Sequence, residues 1–233
     1  MPKSAWELEH ERLLHEDWPE LSRFRQANAA LPAPARGEHR VVFLGDSITQ
    51  GWRETVTPQG PEMGAFFKGK PYINRGISGQ TTPQMLLRFR DDVINLKPEA
   101  VVLMAGTNDI AGNTGEISLE GIEENIASMC ELARAHNIRV LLVSVLPVGE
   151  YPWRTGREPA TKIVALNGWL RGYAAANGFR YADLHTAMAA PDLSMRKDLS
   201  EDGVHPNAKG YAMMENLLQP AIDKVLYRAP VKP

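Results

Sequence analysis

Two short segments hold the residue types that nucleophilic acyl transfer requires. Gly45-Asp46-Ser47 directly follows an apolar run, and Asp202-Gly203-Val204-His205-Pro206 precedes a long helical pattern. A neutral serine hydroxyl is a poor nucleophile, so this chemistry needs a base in contact with it, a group that orients the base, and donors for the oxyanion. A separation of three residues lets one loop supply both the imidazole of His205 and the carboxylate of Asp202 that fixes its tautomer. Ser47 falls between a strand and a helix, where the turn exposes Oγ and the helix N-terminus favours developing negative charge. The base must be neutral to accept a proton, so the acidic limb of activity is expected to follow the ionisation of His205.

Other motifs carry less. Gly64 to Lys70 has the spacing of a phosphate-binding loop, but Pro71 stands where a Ser or Thr is needed and no clear strand precedes it. His10-Glu11 with His15 is similar to a zinc-protease helix, yet at i, i+5 the rings do not share a face. Ser78 is a rival nucleophile without the strand-to-helix setting. Asp46 and Asp109 could serve as metal ligands or acids; a structural role is favoured, because Asp side chains in turns readily bond loop backbone. His39, His136 and His185 read as surface or cap residues, and Cys130 as a small buried hydrophobe on a helix.

The elements that must carry these segments alternate along the chain. Strand-like runs at about 40–44, 72–74, 100–104, 139–145 and 179–182 are apolar on nearly every residue, as strands covered on both faces must be. Helical spacing runs over 82–96, 119–135, 160–176 and 207–226. The pattern predicts an α/β fold, a three-layer α/β/α sandwich around a central parallel sheet of about five strands, flavodoxin-like in type. Reactive loops gather at the carboxyl ends of such strands, so the loops holding Ser47, Gly76 to Thr81 and Gly106 to Asp109 should meet on one rim. Residues 4–31 are helical in character with a break at Pro19, and Trp6, Leu13, Leu14, Trp18, Leu21 and Phe24 are expected to face inward. The expected plan is a helical extension over 1–39 packed on one domain over 40–227, with a flexible tail over 228–233. A dimer contact through the extension stays open, and with it a homo-oligomer.

The segments GDSITQ (45–50), NRGISGQTT (74–82), GTND (106–109) and DGVHP (202–206) resemble, in order and spacing, the four blocks of the SGNH/GDSL hydrolase superfamily. The surrounding text is most similar to its platelet-activating-factor acetylhydrolase-type and carbohydrate acetylesterase branches. Ile48 departs from the leucine of the name-giving motif, a conservative change. The resemblance implies that Ser47 is the nucleophile and that His205 and Asp202 complete a triad. It further implies an oxyanion hole made of the Ser47 and Gly79 backbone N–H groups and the Asn108 side-chain amide. These roles fit the residue types, since glycine lets a backbone N–H approach a substrate closely and an asparagine amide offers two uncharged donors. The implied activity is hydrolysis of short acyl esters, acetyl first, on carbohydrate or other small-molecule alcohols, without metal or organic cofactor. Asp46, Trp52 and Trp153 are candidates for substrate contact. Trp52, and Tyr151 and Trp153 in the Gly/Pro-rich loop 148–157, could stack on a sugar, wall an acyl pocket, or simply pack.

Composition narrows the classes. At 233 residues, 43% hydrophobic and 23% charged, the chain suits one globular domain, and a net charge of -2 with no basic stripe gives no footprint for nucleic acid. One cysteine excludes an internal disulfide and a multi-cysteine zinc cage. No apolar run reaches the length of a membrane span, and the first residues, with Lys3 and then Glu7, Glu9 and Glu11, lack the apolar core of a secretory leader, which leaves the compartment open. Three other functions compete. A lysophospholipase or thioesterase would take longer acyl chains, against which the lack of an inserted apolar lid leans. A carbohydrate-binding protein without turnover would have no use for a base aligned on a nucleophile. A metal-dependent hydrolase would need Asp46, Asp109, Asp202 and His205 as ligands and would be sensitive to EDTA.

Overall fold

The structure is a computed structural model that describes residues 5–52 and 66–227. Five strands form one parallel sheet: β1 (Val41–Gly45), β2 (Tyr72–Gly76), β3 (Ala100–Leu103), β4 (Arg139–Val143) and β5 (Arg180–Ala182). Their order across the sheet is β2-β1-β3-β4-β5, with Val42 opposite both Ile73 and Val101. Chain direction across the sheet therefore reverses between β1 and β3, the place where such folds bind ligands at the strand ends.

Alternate side chains of each strand enter different cores. Val42, Leu44, Val101, Leu103, Val140 and Leu142 pack with α4 (Thr82–Asp92), α6 (Leu119–Ala135) and α7 (Pro159–Asn177). Val41, Phe43, Val102, Leu141 and Val143 pack with α9 (Ala208–Leu226). The stripes match helical spacing: Ile122, Ile126, Met129 and Ala133 on α6, and Tyr211, Met214, Leu218, Ile222 and Val225 on α9 are all buried. At about 1.5–3 kcal/mol for each large apolar side chain removed from water, these two layers hold the sheet edge on which the polar loops are mounted. The three-layer arrangement with a five-stranded parallel sheet is the one the alternation predicts.

Two boundaries differ from the periodicity. The helix from Thr82 stops at Asp92 and is followed by a single 3-10 turn, Ile94–Leu96, closed by Lys97 at φ +51°. Lys97 precedes Pro98, whose ring disfavours the right-handed helical conformation there. The apolar run through Val145 leaves the sheet after Val143, because the Asn167 side chain on α7 takes both the Val145 N–H (2.8 Å) and its carbonyl (2.9 Å). A side-chain amide has replaced the neighbouring strand.

Ahead of the sheet lie α1 (Ala5–Glu16) and α2 (Arg25–Ala30), joined by a turn in which the Asp17 carboxylate accepts the Leu21 and Ser22 N–H groups. Leu21 is exposed rather than inward. The side chains of Trp6 and Leu14 and the tail 228–233 lie outside the described residues. The segment after α1 is fastened to α4 and the loop before it. Gln84 donates to the Trp18 carbonyl (2.7 Å), Gln80 to the Pro19 carbonyl (2.8 Å), and Asn28 bridges Asp92 and Arg75.

Candidate active site

Ser47 opens α3 (Ser47–Gly51), whose N-terminus is capped by Asp46 through the Ile48 N–H at 2.9 Å. Gly76 at the end of β2 lies so close beneath α3 that a Cβ there would fall 2.2 Å from the Gln50 nitrogen, so only glycine allows this approach. From the opposite end of the chain, α9 is capped by Asn207, and in its first turn Tyr211 donates to the Ile48 carbonyl (2.9 Å). That bond ties the helix after His205 to the helix that starts with Ser47.

The geometry that results is continuous. Ser47 Oγ lies 2.9 Å from His205 Nε2, and His205 Nδ1 lies 2.6 Å from Asp202 Oδ2. Asp202 Oδ1 accepts the Val204 and His205 N–H groups and the Ser200 hydroxyl, so the loop is folded around the carboxylate. Partial burial opposes ionisation of Asp202, but the His205 ring and these backbone donors outweigh it and hold the carboxyl at about 2. An ionised carboxylate only accepts, so Nδ1 carries the ring proton and Nε2 presents its lone pair to Ser47.

The other two blocks meet each other next to α3, where the Ser78 N–H donates to Gln50 Oε1 and the Asn108 amide reaches the loop that holds Gly79. Gly79 has φ +79°, a left-handed conformation that glycine adopts without strain. Asn108, on α5 (Thr107–Ala111), is buried; its amide donates to the Gln80 carbonyl (3.0 Å) and its Oδ1 accepts from Asn113 Nδ2 (2.9 Å). Among the described residues, neither the Ser47 nor the Gly79 backbone N–H is given to another group. Asp109 joins blocks by accepting both the N–H and the hydroxyl of Thr82. Burial raises the carboxyls of Asp109 and Asp46 to about 6, against the bonds from Thr82 and Ile48.

The candidates for substrate contact divide. Trp153 is 44% exposed, with its ring 6.0 Å from that of His205 and 5.2 Å from Tyr151. Trp52 is 1% exposed and packs against Phe43, Phe67 and Tyr211 as part of the core. Asp46 is equally buried and caps α3, which leaves it no face for substrate. Ser78 is exposed, its N–H on Gln50 Oε1, and no histidine meets its hydroxyl among the described residues. His185 is buried rather than superficial, its N–H on Ser144 Oγ, and burial lowers its pKa. Cys130 is buried on α6, its thiol pushed up to about 12. No group of three or more His, Cys, Asp or Glu among the described residues is placed to hold a metal ion.

Three residues of this site escaped the sequence reading. Arg88 has no solvent exposure and donates to the Gly45 carbonyl, Gln80 Oε1 and Asp92. Its signal was a charge within the inward stripe Met85, Arg88, Phe89, Asp92. Gln80 receives Arg88 and Asn108 and reaches Pro19. Asn113 left no signal beyond being polar and near Asn108.

The GDSL-like lipase/acylhydrolase family model matches residues 43–213 of this chain. The chain belongs to that family. This GDSL-family chain is similar to the crystal structure of a GDSL-like lipase from Bacteroides thetaiotaomicron, with a TM-score of 0.82 and 45% identity over 89% of this chain and 99% of the other. It is 25% identical to an acetylxylan esterase from Xylanibacter ruminicola over 83% of this chain and 45% of the relative. It is 31% identical to the human platelet-activating factor acetylhydrolase IB subunit alpha2 over 49% of this chain and 47% of the relative. The chain spans about half, or less, of the length of the curated relatives it matches. Among the described residues, no helix of this GDSL-family chain is long and apolar enough to cross a membrane.

Proposed function

We propose that this protein is a serine carboxylic ester hydrolase that removes short acyl groups, acetyl foremost, from small-molecule or carbohydrate esters. The observation that carries the reading is the unbroken contact Ser47 Oγ, His205 Nε2, His205 Nδ1, Asp202 Oδ2, at 2.9 and 2.6 Å. As Ser47 Oγ attacks the acyl carbonyl carbon, its proton passes to Nε2, and the imidazolium is stabilised by the ionised Asp202. The carbonyl oxygen becomes an oxyanion facing the Ser47 and Gly79 N–H groups and the Asn108 amide. His205 then returns the proton to the leaving alkoxide as the acyl–oxygen bond breaks. Water, deprotonated by His205, hydrolyses the acyl-Ser47 ester and releases the carboxylate and the free enzyme. Every step uses groups of the chain itself. Relatives whose names specify acetyl groups, the acetylxylan esterase and the acetylhydrolase, support acetyl as the acyl group.

Ser47→Ala should abolish hydrolysis of p-nitrophenyl acetate while leaving the fold intact, and a serine-directed phosphonate should add its mass to Ser47 of the wild type. Undiminished hydrolysis by Ser47→Ala would refute the assignment. A series of p-nitrophenyl esters from acetyl to octanoyl should show kcat/KM falling with chain length; a rise would favour a long-chain acyl hydrolase.

A further inference from the structure

Trp153 Nε1 donates to Asn113 Oδ1 at 3.1 Å, and Asn113 Nδ2 donates in turn to Asn108 Oδ1 at 2.9 Å and to the Gly79 carbonyl at 3.2 Å. Asn108 Nδ2 donates to the Gln80 carbonyl at 3.0 Å. The two ends of this chain have fixed polarity. An indole N–H can only donate, and a backbone carbonyl can only accept. Each asparagine between them could present either its oxygen or its nitrogen, but only one arrangement satisfies both ends. The indole and the Gly79 carbonyl together require Asn113 to turn its oxygen outward and its nitrogen inward, toward Asn108. Asn108 must then turn its oxygen to Asn113, and its nitrogen faces Gln80, with a second N–H left over for an oxyanion on the esterase reading.

We infer that Trp153 and Asn113 are positioning residues that set the direction of the Asn108 amide, so that an N–H donor rather than a carbonyl oxygen faces the developing oxyanion. The inference rests on the esterase reading above. A flipped Asn108 would place a lone pair against negative charge at the moment of attack, and the cost would appear in turnover rather than in substrate binding. The backbone supports the same turn, since the Asn113 N–H donates to the Asn108 carbonyl (3.0 Å) and Gly112 takes φ +74° between them. Trp153 stands at the surface with its ring near His205, so one side chain borders the base and, through Asn113, sets the oxyanion donor.

The test is a double-mutant comparison on p-nitrophenyl acetate with Ser47→Ala as reference. Trp153→Phe keeps an aromatic ring at this exposed position but removes the indole N–H together with the second fused ring; Asn113→Ala removes the relay itself. Each should lower kcat about 5- to 20-fold with KM within about twofold. In an Asn108→Ala background neither should change kcat by more than about twofold, because the group they act through is gone. Affinity for a phenylboronic acid, whose Ser47 adduct puts an oxygen in the same place, should fall in parallel with kcat. Equal losses in both backgrounds, no loss in the single variants, or a change confined to KM would overturn the inference while Ser47→Ala remained inactive. Full activity in Ser47→Ala would bring down the esterase reading and the relay together.

Discussion

The guanidinium of Arg88, buried completely, donates at 3.0 Å to the carbonyl of Gly45, two residues before Ser47. Its other nitrogens hold Gln80 Oε1 and Asp92 Oδ2, so one side chain links the end of β1, the loop after β2 and helix α4. Truncating it would strand the Asp92 carboxylate and release both segments. Arg88→Ala should lower unfolding free energy by about 3–5 kcal/mol in urea denaturation. Arg88→Lys, with a point charge in place of the fork, should recover only part of it.

On the proposed mechanism, Asn108→Ala removes a donor that is in place before the reaction and is used only when charge appears on the carbonyl oxygen. It should lower kcat about 10²- to 10³-fold with little effect on KM in initial-rate measurements on p-nitrophenyl acetate. An unchanged kcat would reject the oxyanion role.

Asp202 is expected to work as an anion that selects the imidazole tautomer. Asp202→Asn keeps the size of the side chain but can donate to Nδ1, turning the Nε2 proton toward Ser47, and should lower kcat about 10⁴-fold. With the Asp202 carboxyl at about 2, it stays ionised throughout the working range. Protonation of Asp202 should therefore add no break to the wild-type kcat/KM profile above about pH 4; a break there that Asp202→Asn removes would overturn this.

Stability should depend on pH through the carboxyls of Asp46 and Asp109, raised from 3.8 to about 6 by burial. In the pH interval between those values the folded state holds protons that the unfolded state releases, so their contribution is full below about 4 and is lost as pH rises through about 6. A loss on the order of 3 kcal/mol is expected for each carboxyl. Asp46→Asn, measured by urea unfolding at pH 4.5 and 7, should reduce the wild-type drop.

Trp52→Ala should act on stability and not on substrate. A fully buried indole among Phe43, Phe67 and Tyr211 is worth about 3–5 kcal/mol on truncation. The fraction that remains folded should keep the wild-type KM for p-nitrophenyl acetate; a raised KM would place the ring at the substrate after all.

The alternation of apolar runs and helical stripes was enough to specify a parallel sheet with helices on both faces, because burial on both sides leaves a continuous apolar signature and a crossover helix leaves a 3.6-residue one. Block spacing likewise placed Ser47, the loop holding Gly79, and Asn108 at neighbouring strand ends. Contacts between side chains distant in the chain have no such signature. Trp52 and Trp153 are both aromatic residues in loops at the same rim, yet one is core and the other faces solvent, a difference set by whether Phe43 and Tyr211 close over it. The charge of Arg88 and the amide of Asn113 acquire meaning only when a carbonyl or another amide from elsewhere stands opposite. The residue types and their order were settled in one dimension. The polarity of each hydrogen bond was decided by folding, because a donor has a direction only once its acceptor has a place.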